Sequence, residues 1–110
     1  MAKTDLGLEE NIEALLAYVL GFITGIVFLL IEKKNQFVRF HAMQSTILFL
    51  GLWVISFVLA YIPILGWIAD FLLQILGLIL WILLMVKAYQ GEKYKVPFVG
   101  DIAEKQLSKK

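Results

Sequence analysis

From Ala14 to Ile31 the chain carries no charged residue, and from Ala42 to Val86 it carries one, Asp70. A helix advances about 1.5 Å per residue, so about 20 apolar residues cross a hydrocarbon core of roughly 30 Å. The first run meets that length as one span over residues 14–31. The second is too long for one helix and is interrupted at Tyr61-Ile62-Pro63-Ile64-Leu65-Gly66. Proline removes a backbone donor and pushes the residue before it out of the α region, and a glycine three positions on suits a turn. The run therefore divides into spans over 45–61 and 67–86 joined by a short hairpin, in preference to a two-span chain with one half buried in a partner. After the third span, Pro97 suits the first turn of a last helix over 97–107. Val99, Ile102, Ala103 and Leu107 would form its apolar side, opposite Asp101, Glu104 and Lys105. Such a segment can lie in the membrane surface or dock onto a partner. The expected fold class is an all-α integral membrane protein: three transmembrane helices plus a short C-terminal interfacial amphipathic helix, in a single membrane domain over 1–110.

Lysine and arginine near the span ends set the expected orientation. Lys33, Lys34 and Arg39 follow the first span, and Lys87, Lys93 and Lys95 follow the third. The 61–66 hairpin has no basic residue, and the N-terminal flank sets Lys3 against Asp5, Glu9, Glu10 and Glu13. Three spans then place the N-terminus outside and the C-terminus in the cytoplasm of a multi-pass protein of the cell (inner or plasma) membrane. The acidic leader and full-length apolar run argue against a cleavable signal peptide.

Composition agrees with a lipid environment. The 110 residues are 61% hydrophobic and 17% charged, against about 45–50% and 25% in soluble domains. A net charge of +1 argues against nucleic acid as the main partner. The lack of cysteine excludes disulfides and thiolate chemistry. His41, the one histidine, falls at the cytoplasmic end of the second span, and Asp70 near the outer end of the third. A nucleophile, base and orienting acid must lie within hydrogen-bond reach of one another, which this placement forbids. The expectation is a non-enzymatic protein without cofactor or metal.

Three features remain as candidates. Ala14, Ala17, Gly21 and Gly25 fall near one stripe of the first span, where small residues let another helix approach, in the same chain or in an oligomer. Phe40, His41, Gln44 and Ser45, with Phe37, align at steps of three and four at the cytoplasmic boundary. They are candidate contacts for a partner or caps for neighbouring helices, with Arg39 left to face lipid phosphates. Asp70 and Gln74 are intramembrane polar groups. They are read as structural interface residues near a helix start or as the entrance of a pore.

The run Phe40-His41-Ala42-Met43-Gln44-Ser45 after a basic loop, the three-span pattern and the tail Tyr94-Lys95-Val96-Pro97 together resemble a widespread prokaryotic membrane-protein family of unknown function. That family is similar to the twenty-kilodalton subunit of the chloroplast inner-envelope import translocon (Tic), with magnetosome proteins of the MamF type as more distant members. The resemblance covers residues 10–105. It implies structural importance for Phe40, His41, Gln44 and Ser45 and attaches no chemistry to them. The plant subunits have four spans and belong to a protein-conducting or scaffold assembly. The expected function is a membrane scaffold or assembly subunit, with a homo-oligomeric channel or translocation pore as the rival. The expected partners are the lipid bilayer and a membrane protein or further copies of the chain.

Overall fold

The computed structural model describes residues 7 and 9–108, so Lys3 and Asp5 of the acidic leader lie outside the described residues. Among these are five α-helices: α1 (Glu10–Val19), α2 (Phe22–Ile31), α3 (Gln36–Leu59), α4 (Leu65–Tyr89) and α5 (Val99–Ser108). The first apolar run departs from expectation. It is divided at Leu20-Gly21, where Gly21 adopts φ 65°, ψ −131°, a mirror-β conformation open to glycine and costly for any L side chain. The chain reverses there. Asn35 Nδ2 donates to Glu10 Oε1 at 2.9 Å, which brings the start of α1 beside the start of α3. The Arg39 guanidinium donates to the carbonyls of Leu29 at 2.9 Å and Glu32 at 2.7 Å, which brings the end of α2 to the same place.

Together α1 and α2 form a helical hairpin. Each arm has 10 residues, about 15 Å of helix, which reaches half-way through a core of roughly 30 Å. Its tip meets the middle of α3: a Cβ on Gly21 would lie 3.5 Å from the Phe49 Cβ. Two helices, α3 and α4, are long and apolar enough to cross a membrane, so the three-span reading is corrected. Residues 10 and 35, expected at opposite ends of a single span, lie at the same end of the molecule, their side chains hydrogen-bonded.

Irregular backbone at membrane depth survives only where protein groups satisfy it, and here they do. The Thr24 hydroxyl accepts from Leu20 N at 3.1 Å and donates to the Ala17 carbonyl at 3.0 Å. The Ser45 hydroxyl donates to the Gly21 carbonyl at 2.9 Å, and the Trp81 indole to the Tyr18 carbonyl at 2.6 Å. The tip is thus closed by one side chain each from α2, α3 and α4.

The long helices start and stop for local reasons. Asn35 caps α3, its side chain accepting from Val38 N at 3.0 Å. Between α3 and α4 the turn is so tight that a Cβ on Gly66 would run into the Leu59 carbonyl. Gly91, at φ 80°, ends α4 in the left-handed conformation usual after a helix C-terminus. The chain then returns along α3 before α5 packs against it.

The buried cluster of Ala14, Tyr18, Val38, Leu48, Leu84, Ala88 and Val96 joins α1, α3, α4 and the returning segment. It occupies the half of the molecule that the hairpin fills. The other half is a two-helix ribbon with Trp53, Phe57, Phe71, Leu72 and Ile75 exposed, a surface suited to hydrocarbon.

Candidate functional site

The polar row at the start of α3 comes together, facing inward. Phe40, His41, Gln44 and Ser45 are all buried. His41 Nε2 lies 2.9 Å from the Glu92 carbonyl and Nδ1 lies 2.7 Å from the Tyr18 hydroxyl. A carbonyl can only accept, so Nε2 carries the proton and Nδ1 accepts from Tyr18. The Tyr18 oxygen in turn accepts from Gln44 Nε2 at 2.9 Å. Gln44 Nε2 also donates to the Tyr94 carbonyl at 2.9 Å, and its Oε1 accepts from Val96 N at 2.9 Å. Phe37 and Phe40 pack edge-on against the imidazole, with ring centroids at 4.7 and 5.4 Å.

This is a clasp. α3 supplies His41 and Gln44, α1 supplies Tyr18, and the network grips three backbone groups of the segment that returns from α4. Its donors and acceptors are spent on one another. Chemically, the arrangement holds the imidazole neutral in one tautomer and fixes the register of residues 92–96. Ser45 does a related job at the hairpin tip.

The other candidates are placed as follows. Ala14 and Ala17 are fully buried in the core of the chain. Gly25 lies where α2 crosses α3: a Cβ there would sit 2.7 Å from Thr46 Oγ1 and 2.9 Å from the Ala42 carbonyl. The break at Gly21 means that Ala14, Ala17, Gly21 and Gly25 do not share one helical stripe, and Gly21 is a turn residue. Arg39 is not left to lipid phosphates, because its guanidinium caps the last carbonyls of α2, where a cation also offsets the helix dipole. Gln74 Nε2 donates to Ser56 Oγ at 2.9 Å and to Asp70 Oδ1 at 3.3 Å. This pair lies on the exposed ribbon, in the half of the molecule away from His41.

Tyr18, Thr24 and Trp81 were not singled out in the sequence. The available signal was a hydroxyl, or an indole N–H, within an apolar run, which needs a partner in lipid. Glu13 and Glu32 were also missed and are fully buried; Glu32 Oε2 accepts from Asn35 N at 3.1 Å.

The C-terminal helix is held by charge as well as by the clasp. Ala103 and Gly100 are its buried positions, while Ile102 stays exposed. Glu104 accepts from Lys93 at 2.7 Å and Lys95 at 2.6 Å. These hydrogen bonds, to Lys93 first and Lys95 second, hold the Glu104 carboxyl down at about 2 from an ordinary 4.5. Its depressed pKa makes its contribution complete above pH 4.5 and lost as pH falls toward 2. Protection factors of the α5 amides, taken relative to their intrinsic exchange rates at each pH, should therefore fall over that interval, and Glu104→Gln should abolish this pH dependence.

Residues 9–103 match the magnetosome magnetite crystal formation protein family, MamF/MmsF. A UPF0132 membrane protein of Methanocaldococcus jannaschii is 58% identical over 104 residues, covering 94% of each chain. A second from that organism is 53% identical over 100 residues, 91% of this chain and 71% of the relative. One from Archaeoglobus fulgidus is 49% identical over 100 residues, 91% and 97% of the two chains. No solved structure matches. The MamF-type relationship holds, whereas these matches lend no support to a likeness with the Tic subunit. The chain therefore belongs to the MamF/MmsF family and is a membrane protein of the UPF0132 group.

Proposed function

We propose that the chain is a non-enzymatic scaffold or assembly subunit of the cell membrane. One contrast carries the reading. The buried His41, Gln44 and Ser45 side chains are consumed in the internal clasp and hairpin tip, while much of the apolar ribbon of α3 and α4 is left uncovered by the other described residues. A folded cytoplasmic half then positions a ribbon that other membrane helices can pack against. The ribbon's Gln74–Ser56 pair favours a second reading, a homo-oligomeric pore with Asp70 and Gln74 at one mouth. A two-helix ribbon encloses no path, so this reading requires several copies. The family's name refers to magnetite crystal formation. Among the described residues no group of three or more His, Cys, Asp or Glu side chains is placed to hold a metal ion.

The orientation we propose puts the turn between α3 and α4 outside and both the α1 start and the C-terminal segment in the cytoplasm. Lys33, Lys34, Lys87, Lys93 and Lys95 then share the cytoplasmic face, and the hairpin dips into the bilayer from that face.

A photo-crosslinking side chain at Phe57, on the exposed ribbon, tests the function in cells. The expected product is an adduct with one defined membrane protein, identified by mass spectrometry and absent when the probe replaces Lys34, which is exposed and away from the ribbon. Adducts with lipid alone contradict the proposal. Adducts with the chain itself shift it to the homo-oligomer, where Asp70→Asn should then abolish flux in reconstituted vesicles if the pore reading holds.

A further inference from the structure

Because the re-entrant hairpin reaches only half-way, it leaves space above its tip. A cavity of about 410 Å³ lies there between α3 and α4, within the roughly 300–1,000 Å³ usual for small-ligand sites. Its floor is Leu20 and Gly21, its walls include Phe49 and Trp81, and Ser56 and Gln74 lie toward its other end. Phe49, which backs the floor, is about 15 Å of helix short of Leu59. The floor is therefore near the bilayer midplane, and the cavity occupies the leaflet on the side of the α3–α4 turn.

Three observations select the occupant. The first is depth: an apolar cavity stays dry even in soluble proteins, so one at the centre of a bilayer is filled by hydrocarbon. The second is polarity. The lining is apolar at the midplane and polar one leaflet-half outward, where Gln74 bonds Ser56 and Asp70. A lipid of that leaflet runs in the same sense, with its chain end at the midplane and its polar linkage toward the surface. The third is access and width. The lining residues Trp53 and Leu78 are 59% and 55% exposed, so the cavity is continuous with the lipid-facing surface. Inside, a Cβ on Gly77 would come within 3.3 Å of Leu52 Cδ1. Walls that close admit a single chain and not a helix of about 10–12 Å diameter.

We propose that this cavity is a lipid site that takes one hydrocarbon chain of a lipid from the leaflet facing the α3–α4 turn, with the chain end resting on Gly21 and the polar linkage near Gln74. The proposal rests on the bilayer placement of α3 and α4 and is independent of the scaffold reading.

Trp81 provides the test. With Trp53→Phe and Trp67→Phe it is the sole tryptophan of the three, and its indole is held in place by the Tyr18 carbonyl. The full chain is reconstituted in phosphatidylcholine vesicles brominated either near the chain end or near the glycerol. Chain-end bromine should quench Trp81 emission at least twofold, and glycerol-end bromine clearly less. Gly77→Leu and Ser56→Leu fill the cavity from opposite walls, and each should relieve at least half of the quenching. Two variants keep the test decisive if one misfolds. Unquenched Trp81, or equal quenching in both filled variants, overturns the proposal. So does shielding of Trp81 that disappears on dilution in lipid, which would put a side chain of a second copy in the cavity.

Discussion

Replacing Gln44 with leucine will release the segment after α4 and destabilise the protein by roughly 2–6 kcal/mol, because two backbone groups are stranded and each costs about 1–3 kcal/mol. The stranded groups are the Val96 N–H and the Tyr94 carbonyl, both now 2.9 Å from the Gln44 amide. Leucine matches the side chain in bulk, so packing should survive while the polar partners do not. The Val96 amide should lose its exchange protection first, followed by α5, whose Gly100 lies against Gln44 and Lys95. Tyr18→Phe is the graded comparison. It leaves both backbone bonds in place and removes the hydroxyl shared by His41 and Gln44, which strands one buried imidazole nitrogen for a loss of about 1–3 kcal/mol. Denaturant unfolding in micelles, read with amide exchange at Val96, checks both. Equal, small losses would mean that the clasp does not carry the C-terminal segment.

Gly25→Leu should destabilise the chain by about 1–3 kcal/mol or more, because overpacking forces neighbours off their positions. The neighbours here cannot give way easily. One is the Ala42 carbonyl, which is backbone and already accepts from Thr46 at 2.8 Å, and another is Thr46 Oγ1 itself. Gly21→Ala should also destabilise, by about 1–3 kcal/mol, for a conformational reason: φ 65° with ψ −131° excludes a Cβ. Thermal unfolding in detergent separates these effects from oligomer contacts. A lowered midpoint at unchanged particle size is expected for both. A change in size at unchanged stability would place the glycines between chains.

The sequence carried α3 and α4 clearly, because long uncharged runs and the Pro63 interruption report directly on length and breakage. Both helices extend beyond their apolar cores, to Gln36 and to Tyr89, since polar residues continue a helix as readily as they leave the membrane. The C-terminal helix, expected over 97–107, is found at Val99–Ser108. The first run was misread for a physical reason. Hydropathy counts apolar residues without regard to chain direction, so a hairpin of two half-length helices and one full span give the same profile. Gly21 read as a small packing residue because glycine is common in membrane helices, and only its backbone angles distinguish a turn. The row Phe40, His41, Gln44 and Ser45 was legible as a group from its helical spacing. Its inward direction was not legible, since the segment it grips lies some fifty residues away, as the separation of Gln44 and Tyr94 shows. Arg39 was misassigned likewise: the α2 end that it caps exists only once the chain has turned back.

Side-specific labelling of single cysteines tests the re-entrant hairpin most directly, and the chain has no cysteine to remove. The positions are Glu9, Lys34 and Pro63, all exposed. With a membrane-impermeant maleimide on intact cells, Pro63→Cys should react at once, while Glu9→Cys and Lys34→Cys should react only after permeabilisation. If Glu9→Cys labels from outside together with Pro63→Cys, then residues 14–31 cross the bilayer as one span and the hairpin is wrong.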